Sequence, residues 1–351
     1  MKKIAYLTLA FLFSNACSQT DKSENNKNMN EITANNIVEK VASQVKHYPN
    51  EPLYYIYIYS NICLYEVLVN DYPVVKNYDY GTYATPFYIN SAILKSGTQK
   101  ITLRLHPIGK YQDMFDLPNF TKDTKMEIKV YENDNATGLK IENAKLVKTY
   151  TTPTKTMMLG QDKDIKEEWF VAEGKDYYEA SFTFDAQVPY EIEGWSKGQD
   201  LRKFDQKLLE QKVVEFYKQK SKIYSPPNLD EIAKRKYMSL RDQMIAEYED
   251  RNYIQDAWNE YVMDYNSSYK IQPLLKNYKL EFYGENKLVI LLNTSTDVRY
   301  RGKTALTAHF IDKDGDESLD FLSFVLYLPE GKKLEDGLEV IRSIVFGWSL
   351  F

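Results

Sequence analysis

Carboxylates recur at every second position in one segment near the C-terminus. Residues 312–320 read DKDGDESLD. A hard cation such as Ca²⁺ takes six or more oxygen ligands at about 2.3–2.6 Å, and Asp312, Asp314, Asp316 and Asp320 would supply them. The alternative is a solvated hairpin tip, because Asp-Gly is a common turn pair between strands. Calcium is therefore the one cofactor that the sequence suggests.

A second group of chemically useful side chains is aromatic. The chain has 30 tyrosines. In a strand, Tyr55, Tyr57 and Tyr59 would share one face, because successive side chains alternate. Flat rings beside acidic groups suit stacking on sugars or a protein contact, whereas core packing is the ordinary alternative. Tyrosines in a loop-like segment are harder to bury, so we expect ligand binding there first. The candidates are Tyr78, Tyr80 and Tyr83.

No catalytic residues are predicted. The three histidines, His47, His106 and His309, stand far apart in the sequence and without metal-type spacing. The chain has no HExxH, GxSxG or GxxxxGK motif. The sequence leaves open whether two of the 50 acidic residues form a carboxylate pair for glycoside hydrolysis, because only their separation in space would identify such a pair. An envelope hydrolase is thus one alternative function.

The N-terminus has the pattern of an export signal. Two lysines precede ten apolar residues, IAYLTLAFLF, and then Ser14-Asn15-Ala16-Cys17. Ten helical residues span about 15 Å, half the hydrocarbon thickness, so residues 1–16 read as a signal peptide. A small residue before cysteine at the end of such a peptide resembles the lipobox of bacterial lipoproteins. Ser14 stands where leucine is usual, a relaxed form typical of the Bacteroidetes.

This resemblance implies that Cys17 carries a diacylglyceryl group after cleavage. The polar residues 17–30 would form a flexible tether. Ser18, rather than aspartate, follows the anchor, which favours the outer over the inner membrane by the enterobacterial sorting rule. With Cys17 acylated, Cys63 would have no disulfide partner. It lies in an apolar strand-like run, so we expect a buried, inert thiol.

The elements that position these groups change type along the chain. Residues from about 30 to 47 show a short helical pattern, and short alternating runs separated by turns then extend to about residue 193. They predict an antiparallel β-sandwich over residues 31–198. The turn at residues 95–100 feeding an alternating strand resembles immunoglobulin-like or jelly-roll accessory domains of exported bacterial proteins.

The second half begins with helical periodicity. Apolar residues fall at helical spacing between 200 and 266, and Pro226-Pro227 followed by Asn228 should end one helix and cap the next. Strand patterns return from residue 278. Residues 199–351 therefore predict helices followed by an antiparallel sheet, and the whole chain has an α+β class.

Charge narrows the choice of partner. Net charge is −5, with basic and acidic residues mixed along the chain, so no basic stripe exists for nucleic acid. We expect a lipid-anchored protein of the cell envelope that binds a protein partner without catalysis. An immunity protein that blocks an incoming toxin would be one such binder. The alternatives are a surface glycan-binding lipoprotein and the hydrolase.

Overall fold

The computed structural model describes residues 31–78, 81, 85–111, 114–160, 165–297 and 299–342. Antiparallel sheets lie at both ends of this part of the chain, with helices between them. The predicted α+β class is confirmed. The predicted signal peptide, the tether and Cys17 lie outside the described residues.

Two four-stranded antiparallel sheets form the N-terminal sandwich. From edge to edge, the first sheet contains β4 (Phe87–Tyr88), β1 (Pro52–Asn61), β8 (Lys125–Asp134) and β9 (Lys145–Thr151). The second contains β12 (Tyr178–Ala186), β5 (Gly97–His106), β2 (Leu64–Val69) and β3 (Tyr72–Asn77). The two accessory hairpins are β6 (Gly109–Tyr111) with β7 (Phe115–Leu117) and β10 (Thr154–Leu159) with β11 (Ile165–Phe170).

The sandwich core follows from strand alternation. Tyr54, Ile56 and Ile58 of β1 are at most 4% exposed, as the predicted alternation requires. Aromatic contacts join the two sheets across the core: the Tyr54 ring lies 5.8 Å from Phe184, and Tyr150 stacks on Phe182 at 4.9 Å. The other face of β1, which carries Tyr55, Tyr57 and Tyr59, therefore points away from the sandwich interior.

One predicted strand is shorter than its sequence suggests. Residues 87–94 read as a strand, but only Phe87–Tyr88 pair with β1 before a 3₁₀ turn at Asn90–Ala92. The reason is the buried side chain of Asn90. It accepts a hydrogen bond from the Tyr54 amide at 2.6 Å and donates to the carbonyls of Pro52 and Ala246. These local demands override strand propensity.

Four helices are present among the described residues. They are α1 (Ile37–Ala42), α2 (Gln206–Lys220), α3 (Leu229–Glu247) and α4 (Arg251–Met263). The side chain of Asn228 accepts a hydrogen bond from the Glu231 amide at 3.2 Å, so the predicted N-cap is confirmed. Helix α1 is shorter than the helix predicted over about residues 30–47, and it packs against α3 and α4. No helix in the described ranges is long and apolar enough to cross a membrane.

Two further antiparallel sheets complete the fold. The larger contains β14 (Tyr278–Tyr283), β15 (Leu288–Asn293), β18 (Val325–Tyr327) and β19 (Glu339–Arg342). The smaller contains β13 (Lys270–Ile271), β16 (Thr307–Ile311) and β17 (Glu317–Phe321). Buried apolar residues from Ile32 to Ile341 form one continuous core cluster. The division into domains 31–198 and 199–351 stays a prediction, because both segments contribute to that cluster.

Candidate functional site

A row of large side chains crosses the outer face of the first sandwich sheet. Strand register places Tyr55 opposite Tyr88 on one side and opposite Tyr131 on the other, and Tyr131 lies opposite Leu146. The row therefore contains one residue from each of the four strands. These four residues and a fifth, Tyr57, which neighbours Tyr55 on the same face of β1, are called the tyrosine row.

The rings of the tyrosine row lock one another in place. Tyr55 and Tyr131 stack at 5.6 Å with 11° between their planes. The Tyr57 ring stands nearly perpendicular to both, at 5.9 Å from Tyr55 and 5.7 Å from Tyr131. Tyr88 contacts Tyr55 edge-on at 6.0 Å. Offset-stacked and edge-to-face pairs are the preferred aromatic arrangements, so the four rings of the row form one preorganised surface.

The row is only partly shielded from solvent. Tyr55 is 9% exposed, Tyr57, Tyr88 and Tyr131 are half-buried, and Leu146 is 50% exposed. Burial raises the pKa of Tyr55, and the neighbouring tyrosines raise it further. The Tyr55 hydroxyl is thus neutral at physiological pH and can donate or accept a hydrogen bond.

Polar and aromatic neighbours extend the face along the strands. Tyr59 is 54% exposed, and the Lys129 ammonium lies 5.2 Å from its ring centroid. Lys129 also pairs with Glu127 at 3.0 Å. These half-buried charges form a polar rim beside the aromatic centre. An apolar or aromatic centre with a polar rim is the usual anatomy of a protein-binding surface.

Two acidic residues at the end of α3 lie near one end of the row. Burial raises the pKa of Glu247 to about 8 and that of Glu249 to about 7. Burial, followed by the charges of these two residues, also raises the pKa of Tyr88. Glu247 accepts a hydrogen bond from Gln243 at 3.1 Å. The charge at this corner of the face therefore changes near neutral pH.

The second sandwich sheet carries a different pattern on its outer face. Glu179, Arg104, Glu66 and Lys76 are opposite one another in register across β12, β5, β2 and β3. Their charges alternate, and the four residues are called the charge ladder below. Glu66 pairs with Lys76 at 2.8 Å and Arg104 at 3.1 Å, and Arg104 pairs with Glu179 at 3.0 Å.

Strand β14 covers the buried end of the charge ladder. The Tyr283 hydroxyl donates to Glu66 at 2.8 Å and accepts from Lys76 at 2.6 Å. Burial alone would raise the pKa of Glu66, but Lys76, Arg104 and Tyr283 outweigh it and lower that pKa. The ladder joins the sandwich to the C-terminal sheet and leaves only its Glu179 end well exposed. We assign it a structural role.

Of the three predicted loop tyrosines, only Tyr78 lies among the described residues. Tyr80 and Tyr83 lie outside the described residues. The Tyr78 ring packs at 5.8 Å from His106 and against Gly302, and its carbonyl accepts a hydrogen bond from Arg301 at 2.6 Å. Burial raises the pKa of Tyr78. Ligand binding by these three residues stays a prediction, and the structure shows the Tyr78 ring engaged in packing.

Residues 312–316 form the turn of the β16–β17 hairpin, as the alternative interpretation expected. The Asp312 carboxylate accepts hydrogen bonds from the Asp314 and Asp316 amides and the Ser318 hydroxyl, each at 3.0 Å. The Tyr269 hydroxyl donates to the Asp320 carboxylate. In the described part of the chain, no group of three or more acidic, histidine or cysteine side chains could hold a metal ion. The calcium site stays a prediction without support from this geometry.

The remaining candidates fall in structural positions. Cys63 is a free, buried cysteine, and burial raises its thiol pKa to about 12, as expected of an inert thiol. His106 lies between the rings of Tyr78 and Tyr177, and burial lowers its pKa. His47 pairs with Glu51 at 2.9 Å. His309 lies in β16, so the structure does not bring the histidines together.

Two open cavities in the described part of the chain are large enough to be compared with an active site. One, of about 670 Å³, is lined by residues 222–223 and 226–230. The other, of about 460 Å³, is lined by Lys218, Ser221, Leu306 and residues 271–274. Neither lining contains a carboxylate pair. The geometry of these cavities therefore gives the hydrolase alternative no support.

Comparison with known proteins gave no relative. No family model, no curated protein and no solved structure matches the chain. Its function must be argued from its own residues.

Sequence reasoning found part of the tyrosine row and missed the rest. The alternation in β1 identified Tyr55 and Tyr57. The alternation Met126-Ile128-Val130 also implies that Tyr131 faces outwards, so that signal was present. Tyr88 and Leu146 carried no such signal, because their places depend on strand pairing rather than on local pattern.

Proposed function

We propose that the protein is a lipid-anchored cell-envelope protein that binds a protein partner through the tyrosine row. The observation that carries the proposal is the row itself, four strands wide and locked by ring stacking. Tyrosines are enriched at binding hot spots because they supply large, rigid contact area at little entropic cost. The export signal and Cys17 support the envelope setting.

A protein partner fits the row better than a glycan does. Sugar stacking needs ring faces that lie open side by side. In the row, Tyr57 stands at 88° to Tyr131, and Tyr55 and Tyr131 cover each other's faces. The row also presents Leu146, which is 50% exposed, beside the half-buried Tyr57 and Tyr131, and a mixed apolar and aromatic surface suits the side chains of a folded partner.

The binding surface can be tested with the full-length lipoprotein in detergent. Affinity capture from solubilised envelopes should recover a reproducible partner with the native protein. A Tyr57→Ala, Tyr131→Ala variant should bind that partner at least about 30-fold more weakly, because hot-spot truncations lose about 2 kcal/mol or more. The matched control is Tyr177→Ala, which removes a tyrosine that is 43% exposed and directly precedes β12 of the other sheet.

The outcomes separate the alternatives. Equal binding by the double variant and the Tyr177→Ala control would refute the surface. Retention on a glycan array, with no captured protein, would favour the glycan-binding alternative. The anchor is tested separately: the native protein should enter the detergent phase of a Triton X-114 separation and a Cys17→Ser variant the aqueous phase, whereas identical partitioning would refute the lipid anchor.

A further inference from the structure

An arginine of α3 is clamped between two aromatic rings, far along the chain from the tyrosine row. The guanidinium carbon of Arg235 lies 4.3 Å from the Tyr224 ring centroid and 4.2 Å from that of Phe324. The two rings are nearly parallel, with 13° between their planes and 6.5 Å between centroids. Tyr224 and Phe324 are at most 2% exposed. The guanidinium is therefore held in one orientation.

This fixed cation has no counterion within the described ranges. No described carboxylate lies within ion-pair distance of Arg235, and its Nη1 atom is buried without a hydrogen-bond partner. Burial lowers the pKa of Arg235, and the only groups that oppose this are the tyrosines around it. A buried cation without a partner is unfavourable, and a buried polar atom without a hydrogen bond calls for an explanation. An anion bound at Nη1 would supply both the missing counterion and the missing hydrogen-bond acceptor.

The surroundings are suited to such an anion. Tyr261 and Tyr265, both half-buried, lie against Tyr224, one of the two rings that clamp Arg235. The Tyr265 ring lies 4.9 Å from Tyr224, and the hydroxyls of Tyr261 and Tyr224 are 3.5 Å apart. Phenol hydroxyls donate hydrogen bonds to oxyanions. Arg235 as a residue is half-buried, but its Nη1 atom has no exposed surface, so an anion reaches Nη1 only when a side chain that covers it moves.

We propose that Arg235, with the hydroxyls of Tyr261 and Tyr265, binds a carboxylate group of a small ligand. The planar fork of a guanidinium matches two carboxylate oxygens. A doubly charged phosphate is a poorer match, because the Asp320 carboxylate, which accepts a hydrogen bond from Tyr269, brings negative charge near the site: the Tyr269 ring lies 4.9 Å from that of Tyr265. This site is independent of the tyrosine row.

The probe is acetate, added to the full-length protein in neutral detergent at constant ionic strength, with chloride as the balancing ion. Acetate at several times its Kd should raise Tm by about 2–4 °C. Under the same conditions, the NMR resonances of the Arg235 guanidinium should shift along a saturable curve with the same Kd. Phosphate at pH 8 should bind more weakly than acetate.

Variants separate this site from general anion effects. Arg235→Met should abolish the response of Tm to acetate. The matched control is Arg202→Met, which removes an exposed guanidinium stacked at 3.7 Å on the Phe282 ring and should leave the response intact. Equal Tm in acetate and chloride, or Arg235 resonances that do not move in the native protein, would overturn the proposal. So would an acetate response that survives in Arg235→Met.

Discussion

Replacing Glu66 with glutamine removes the negative charge on which Lys76 and Arg104 converge. Glu66 and Lys76 are both 5% exposed, and Arg104 is 20% exposed. Arg104 keeps Glu179 at 3.0 Å and Glu281 at 3.6 Å in the variant. Lys76 keeps the Tyr283 hydroxyl but loses the Glu66 carboxylate, so most of the effect comes from the loss of this buried ion pair.

The expected loss is large because the pair is buried. Removing one partner of a buried ion pair costs about 3–5 kcal/mol, since the other charge stays desolvated. Replacing Lys76 with methionine as well removes that second charge. The Glu66→Gln, Lys76→Met double variant should therefore be more stable than Glu66→Gln alone. Coupling of this kind is what a double-mutant cycle measures.

Urea unfolding followed by far-UV circular dichroism measures the effect. With an m value of about 3 kcal/mol/M, a loss of about 4 kcal/mol lowers the midpoint by about 1.3 M. The matched control is Glu179→Gln at the other end of the charge ladder. Glu179 is 46% exposed, so its loss should cost about 1 kcal/mol or less.

The pH dependence gives a second check. The native-state pKa of Glu66 is lowered, so its contribution is complete above its unfolded-state pKa of about 4.3 and is lost as pH falls through the native value. The difference between native protein and Glu66→Gln should therefore be widest near pH 7 and narrow in acid. A Glu66→Gln variant as stable as Glu179→Gln at pH 7 would refute this reasoning, and so would a gap that widens in acid.

Three further predictions concern single residues. Glu247→Gln should stabilise the protein at pH 8–9 and have no effect below pH 4, because a native pKa near 8 makes the stability of the native protein fall as pH rises above about 4.3. The rise of the Glu247 pKa from about 4.3 to about 8 sets an upper bound of about 5 kcal/mol on the gain in stability. Urea unfolding at a series of pH values measures it. Cys63 in the native fold should react with iodoacetamide at least about 100-fold more slowly than in urea, as read by peptide mass spectrometry, and equal rates would contradict a buried thiol. Gly302→Ala should lower Tm more than Gly315→Ala. Both glycines have positive φ, but a Cβ at Gly302 would lie 2.4 Å from the Tyr78 ring, whereas a Cβ at Gly315 would meet open space. Equal shifts in Tm would argue against the contact between Gly302 and Tyr78.

Local pattern was sufficient for much of the fold. Period-2 alternation located the buried face of β1, and Asn228 after two prolines marked the start of α3. The error at residues 87–94 has a physical cause. Asn90 bonds to the backbone of Tyr54 and of Ala246, 156 residues away, and no local pattern reports a contact of that range.

The candidate site was less predictable for the same reason. Tyr88 and Leu146 join the tyrosine row only through strand register. The charge ladder is more extreme, since its four members come from four strands whose order in the sheet differs from their order in the chain. Sequence alone shows an acidic or basic residue at each place, and its partner is determined by pairing.

Burial energetics alone would cover the aromatic outer face of the sandwich and leave the charged outer face in solvent, but the protein does the reverse. Burial of apolar surface stabilises a fold by about 25 cal/mol per Å², whereas burial of charges opposes it unless they are paired. The C-terminal sheet nevertheless covers the charge ladder, where Tyr283 contacts both Glu66 and Lys76. The tyrosine row, the more apolar of the two faces, keeps half-buried rings and a 50% exposed Leu146. A fold selected for stability alone would cover the aromatic face. Its partial exposure is best explained if a partner covers it, which is the physical basis of the proposed binding function.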